Sequence, residues 1–249
     1  MKNIVITGGF SGFGKSLSHV FLKNGCKVII TSRGKEKFNH FISEYSKYKD
    51  NIIFYNTSLS SENQMDDLIT FSEKKFNGKL DCIINNASIS LTGRFKDIPF
   101  EEYKEAFNLN FLLISYQIKK LINLNLSNKV KIVNILGGSI NIGIPYSSSY
   151  SLTKLVLKVF TEVIKMEDSN LDLILFHPGP LNAGEKNRKL FGFKKNPIRS
   201  FKKNDPYLVA EKFYKDLKRG KKIINYSKFQ NLLLLVYLFF PRLIKWFFK

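Results

Sequence analysis

The 249-residue chain is predicted to fold as a doubly wound α/β domain, a parallel sheet covered by helices on both faces. Three observations predict it. Short β-branched runs recur along the chain, amphipathic stretches long enough for crossovers separate them, and the runs are apolar at consecutive positions, as strands buried on both faces require.

The predicted strands are NIVIT (3–7), KVIIT (27–31), NIIFY (51–55), DCIIN (81–85), KIVNI (131–135), LDLILF (171–176) and KKIIN (221–225). Helical periodicity covers about 12–24, 35–48, 62–77, 100–125, 147–168 and 206–219. Each strand thus feeds a helix that returns the chain to a parallel neighbour. Right-handed crossovers then put the ligand crevice at the carboxyl ends of the strands.

Residues 1–227 are expected to form this domain, with 185–206 as a flap and 228–249 as an apolar, amphipathic tail. The flap segment EKNRKLFGFKKNPIRSFKKNDP is basic, carries two prolines and has no strong periodicity. Phe191, Phe193, Ile198 and Phe201 are its candidates for an apolar mouth. The tail is continuously apolar over 232–240, but Pro241, Arg242 and Lys245 interrupt it well short of the ~20 residues that span a bilayer.

The net charge is +20, from 40 Lys and Arg against 20 Asp and Glu, and most of the excess is local. Residues 185–249 hold 18 basic residues against 4 acidic ones. Together with the aromatic tail and its Trp246, this suits peripheral contact with an anionic membrane surface. A helix laid across the cleft and a homo-oligomer contact are the competing readings of the tail. Nucleic acid is not expected, because the aromatics form one apolar block instead of a strip interleaved with charge.

Cys26 and Cys82 provide no disulfide framework, and His19, His40 and His177 have no metal-ligand spacing. The opening MKNIVITGG lacks the long apolar stretch and cleavage site of a secretory signal, so a cytoplasmic protein is expected.

The first βα turn reads VITGGFSGFGKSL. Gly8, Gly12 and Gly14 follow a strand and open a helix, where absent side chains let backbone N–H groups approach a pyrophosphate at a positive helix terminus. The same chain carries, in order, NNAS after the fourth strand, FNLNF in a helix, YSLTK at the start of another helix and PGPL after the sixth strand. This ordered set over residues 3–184 resembles the short-chain dehydrogenase/reductase family. The resemblance implies a Rossmann fold and hydride transfer between a nicotinamide dinucleotide and a carbonyl or alcohol.

Residue by residue, the resemblance makes Tyr150 the proton donor in reduction. Lys154, four residues on and therefore on the same helical face, would bind the nicotinamide ribose and lower the phenol's pKa. Asn110 would hold a water that links Lys154 to solvent. Ser11, Gly12, Phe13 and Gly14 form the phosphate turn with Gly8. Asn85, Asn86 and Ala87 flank the adenosine side, with Ser88 in place of the usual glycine. Pro178, Gly179 and Leu181 bend the chain around the nicotinamide.

Four positions besides Ser88 depart from the pattern. Arg33 stands where an acidic residue commonly holds the ribose 2′-hydroxyl, and a guanidinium there suits the extra phosphate of NADP, so NADP(H) is expected over NAD(H). Ser32 and Ser11 are its auxiliary donors. Ser58 replaces the usual adenine-side aspartate, and Ala183 replaces a threonine. The helper serine is the fourth: counting thirteen residues back from Tyr150 reaches Gly137, which has no side chain, and Ser139 is the candidate to fill that space.

The expected function is an NADP(H)-dependent oxidoreductase acting on an apolar or lipid-like carbonyl. The alternative is a catalytically weak dinucleotide-binding scaffold or redox-responsive binding protein, suggested by the departures at Gly137, Ser58 and Ala183.

Overall fold

The computed structural model describes residues 1–124, 129–137, 143–168, 170–183, 188–198 and 202–226, with Val236, Tyr237, Phe239, Phe240 and Arg242 beyond them. Seven strands form one parallel sheet. In chain order the first elements are β1 (Asn3–Thr7), α1 (Gly12–Lys23), β2 (Lys27–Ser32), α2 (Lys35–Glu44), β3 (Ile52–Asn56) and α3 (Glu62–Lys75). Next come β4 (Cys82–Asn85), the two-residue β5 (Leu91–Thr92), α4 (Phe100–Phe107), α5 (Leu113–Asn123) and β6 (Lys131–Ile135). The last are α6 (Ser148–Glu167), β7 (Asp172–His177), the two-residue β8 (Lys189–Leu190), α7 (Pro206–Lys218) and β9 (Ile223–Asn225).

The strand order is β3-β2-β1-β4-β6-β7-β9. From β1 the chain first winds outward through β2 and β3, then crosses back and winds the other way from β4. The switch between β1 and β4 opens a crevice at their carboxyl ends. Register follows the apolar pattern, with Ile4 beside Val28 and Cys82, and Ile6 beside Ile30 and Ile84.

Alternation along each strand divides the core in two. Ile4, Ile6, Val28 and Ile30 pack with Phe21 of α1, Phe41 of α2 and Phe213 of α7. Val5 and Ile29 point to the other face, where Met65 and Leu68 of α3, Ile114 and Ile118 of α5 and Leu157 of α6 meet them. Each such side chain, taken fully out of water, contributes roughly 1.5–3 kcal/mol. Four polar side chains inside this layer pair with one another. Asn85 Nδ2 donates to Gln117 Oε1 at 2.9 Å and to Asn134 Oδ1 at 3.0 Å, and Asn134 Nδ2 donates to Thr161 Oγ1 at 2.9 Å.

Two helices differ from the sequence expectation. The stretch 35–48 stops at Glu44 and continues as a 3₁₀ turn over Ser46–Asn51. The single helix expected over 100–125 is broken by a π-helical turn at Asn108–Leu112. A π-turn accommodates one extra residue in the helix, and its physical reason here lies in Asn110, whose side chain leaves the helix to pair with the chain after β4.

Among the described residues no helix is long and apolar enough to cross a membrane. The 228–249 tail falls almost entirely outside the described residues. Of its apolar positions, Phe239 and Phe240 are exposed. Helix α6 also exposes apolar side chains at helical spacing, namely Leu152, Val156, Val159 and Val163.

Candidate active site

The turn after β1 is locked in place by the end of β4. Thr7 is buried, and its Oγ1 accepts the backbone N–H groups of Asn86 (3.0 Å) and Ala87 (2.9 Å). In return Asn86 Nδ2 donates to the carbonyl oxygens of Thr7 (2.8 Å) and Gly8 (3.2 Å). Gly8 has φ +65°, and a Cβ at Gly14 would lie 2.3 Å from the Gly8 oxygen and 2.5 Å from Asn86 Nδ2. The first helical turn of α1 therefore packs directly on the loop only because residue 14 has no side chain, which leaves its N-terminus facing the crevice. These constraints fit a dinucleotide pyrophosphate.

One cleft of about 640 Å³ runs along the carboxyl edge of the sheet, within the usual range for small-molecule sites. At one end its wall includes Gly8, Ser11, Gly12 and Phe13, followed by Ser32 and Arg33. Lys37, which the sequence reading passed over, joins them there. Arg33 and Lys37 are exposed, and neither pairs with another described residue. Ser58 is on the same wall, but its hydroxyl is engaged by Gln64 Oε1 at 2.9 Å and lies 3.0 Å from Ser60 Oγ.

Asn86, Ala87 and Ser88 form the middle of the wall. Ser88 has no positive φ, since the non-glycine residues that do are Leu59, Asn77 and Tyr146 among those described, so a side chain is tolerated there. Asn85 is turned away from the cleft into the polar network beneath the sheet.

At the other end stand Tyr150 and Lys154, with Pro178, Gly179, Leu181 and Ala183 opposite. Gly179 takes φ +76°, the bend that turns the chain after β7. Lys154 is 1% exposed, and its Nζ donates to the Ile135 carbonyl oxygen at 2.9 Å while lying 5.8 Å from the centre of the Tyr150 ring. Burial pulls its pKa down to about 8. Burial likewise raises the Tyr150 pKa, and the cation that opposes this rise is Arg188. Burial and Arg188 account for this shift, and Lys154 makes no contribution to it in this arrangement.

Asn110 is wholly buried behind the pair and does not line the cleft. Its Oδ1 accepts Ile89 N–H at 2.8 Å, and its Nδ2 donates to Ile89 O at 2.9 Å and to Thr153 Oγ1 at 3.2 Å. It therefore ties the π-turn to the loop after β4 and to the helix that carries Tyr150. Gly137 is on the cleft wall without a side chain, and Ser139 lies outside the described residues. His177 meets the Gly137 backbone, and burial lowers its pKa to about 4.

The flap contributes in a way the sequence did not disclose. Ile198 lines the cleft, but Phe191 packs on the small cluster around Leu91, and Phe193 meets Tyr146 edge-on at 5.1 Å. Phe201 lies outside the described residues. Pairing of β5 with β8 brings Arg188 to the cleft wall beside Thr92. No motif signals this, because the two paired strands are short and 98 positions apart.

A short chain dehydrogenase family model matches residues 2–189. The chain is 29% identical over 186 residues to an 11-beta-hydroxysteroid dehydrogenase-like protein of Arabidopsis thaliana, covering 73% of this chain and 60% of that one. It is 25% identical over 170 residues to an oxidoreductase of Staphylococcus aureus, covering 67% and 71%. Against the 3-ketodihydrosphingosine reductase of Bos taurus it is 24% identical over 171 residues, covering 66% and 51%.

Among solved structures, a short-chain dehydrogenase from Streptomyces avermitilis aligns with TM-score 0.81 at 18% identity, over 98% of this chain and 96% of that one. ElxO with NADP bound aligns with TM-score 0.73 at 27% identity, over 90% and 96%. The family match, which takes in the glycine turn, the Tyr150–Lys154 strip and six of the seven strands of the parallel sheet, means that the chain belongs to the short-chain dehydrogenase/reductase family of NAD(P)-dependent oxidoreductases.

Proposed function

We propose that the protein is an NADP(H)-dependent reductase of an apolar carbonyl compound, with Tyr150 as acid and base. The observation that carries this reading is a buried lysine and a half-buried tyrosine, one helical turn apart, in the same cleft as a glycine cradle and an unpaired arginine. A bound dinucleotide supplies the hydride.

The chain's own residues account for the proton and the orientation. Burial keeps the Tyr150 phenol protonated at neutral pH, so it can donate to an oxygen that gains charge as hydride arrives. Lys154 sits with its ammonium between the Ile135 carbonyl and the Tyr150 ring, poised to hold a ribose hydroxyl. Asn110 keeps helix α6 and the loop after β4 in register. Gly137 offers no hydroxyl to the substrate, and one missing preorganised donor costs about 10²–10³ in rate. The glycine at that position favours the second reading, a dinucleotide-binding protein with weak turnover, in which NADPH binds but no carbonyl in a broad panel is reduced; Ser139, the other candidate for the helper, lies outside the described residues.

At the adenosine end, Arg33 and Lys37 supply two exposed cations with no partner among the described residues, which suits a 2′-phosphate. On α6 the exposed stripe of Leu152, Val156, Val159 and Val163 suits burial against a second copy, so we assign the protein as a homo-oligomer.

Three outcomes test the reading. Tyr150→Phe lowers NADPH oxidation with an accepted carbonyl by at least about 10²-fold while NADPH still binds, and retained turnover removes the assigned acid. Arg33→Ala weakens NADPH binding by about tenfold or more with little change for NADH, as loss of a charged hydrogen bond worth ~1.5–3 kcal/mol requires; equal changes for both cofactors contradict the phosphate contact. Light scattering finds a multimer for the native chain and a monomer for Val159→Lys, and a native monomer contradicts the assembly.

A further inference from the structure

The substrate end of the cleft contains a cation that the hydride-transfer reading does not use. Arg188 lines the same cavity as Tyr150, Ser147 and Ile144. One guanidinium nitrogen, Nη1, donates to Thr92 Oγ1 at 3.3 Å. The Thr92 side chain is itself wholly buried, so this contact fixes the plane of the guanidinium without neutralising it. The Nε–H is sealed from water and has no acceptor.

Nearby acids are already committed. Glu105 reaches the cleft, but Lys189 lies 3.5 Å from its carboxylate and 2.5 Å from that of Glu102. Lys189 therefore consumes the local negative charge, and Arg188 forms no ion pair among the described residues. A guanidinium on a cleft wall with no carboxylate partner among the described residues keeps its full charge, which an anion entering the cleft would offset.

Resting on the reductase reading above, we infer that Arg188 is the receptor for an anionic group of the substrate, so that the carbonyl compound reduced at Tyr150 also carries a carboxylate or a similar oxyanion. The reacting carbonyl oxygen is a poor match for this role. It is neutral before reaction and ends as a neutral alcohol, whereas the guanidinium is charged throughout and needs a permanent counter-charge. Its planar fork offers a carboxylate two parallel donors. The apolar lining from Ile144, Ile198 and Leu181 takes the rest of the molecule, so the substrate is an amphiphile: an apolar body, a reducible carbonyl and an acidic group.

The test uses oxo acids of increasing spacing between carbonyl and carboxylate, each beside its methyl ester. For at least one spacing, kcat/KM with NADPH is about tenfold or more higher for the acid than for the ester. Arg188→Met lowers that acid-to-ester ratio by at least about tenfold, Arg188→Lys recovers part of it, and NADPH affinity changes by less than about threefold. Equal losses on acid and ester overturn the inference by placing Arg188 at the reacting oxygen. A parallel loss of NADPH affinity overturns it by placing Arg188 on the cofactor.

A second arm needs no turnover. Calorimetric binding of the preferred acid to the NADP⁺-loaded Tyr150→Phe protein persists, and Arg188→Met in that background removes it. Arg188-dependent binding without reduction by the native chain would leave the receptor standing and defeat the reductase reading. Absence of Arg188-dependent acid binding defeats the receptor itself.

Discussion

The ammonium of Lys154 is the constraint around which the rest of the site is arranged. It is almost fully buried, with one hydrogen bond to the Ile135 carbonyl at the end of β6. Taking an ammonium out of water costs several kcal/mol, and a single neutral carbonyl repays only part of that; the depression of its pKa to about 8 reflects the same imbalance. A core seeking only stability would place leucine there. The fold accepts the cost because β6, α6 and the loop after β4 are cross-linked by polar pairs that cannot shift independently. Asn110 joins the loop to α6, and Asn134 joins β6 to α6 through Thr161.

The cleft joins two regions with different physical demands. At the end proposed for the pyrophosphate, glycines and a small latch of Thr7 and Asn86 hold the backbone in place. At the other end side chains line the wall, and two cations there, the Lys154 ammonium and the Arg188 guanidinium, form no ion pair among the described residues. Ser88 is tolerated in the first region because its backbone does not take positive φ.

Much of this was legible in the sequence for a physical reason. Strands buried on both faces require consecutive β-branched residues, and NIVIT, KVIIT and KIVNI carry that pattern into β1, β2 and β6 within a residue of the expected bounds. Tyr150 and Lys154 were legible through the ordered motifs of the family the chain resembles, because a spacing of one helical turn alone also describes ordinary surface pairs. The π-turn was not, because its cause is the pairing of Asn110 with Ile89, which is remote in sequence. Arg188 was hidden similarly: in an aperiodic basic segment it looks like any solvated arginine, and only the β5–β8 pairing brings it beside Thr92.

A crystal structure with NADPH bound tests the central claim most directly, because it shows what the buried ammonium is for. The account predicts the dinucleotide along the whole cleft, its 2′-phosphate against Arg33, its nicotinamide beside the Tyr150 hydroxyl and Lys154 hydrogen-bonded to the adjoining ribose. A dinucleotide bound elsewhere, or one that leaves Lys154 bonded only to the Ile135 carbonyl, would contradict it.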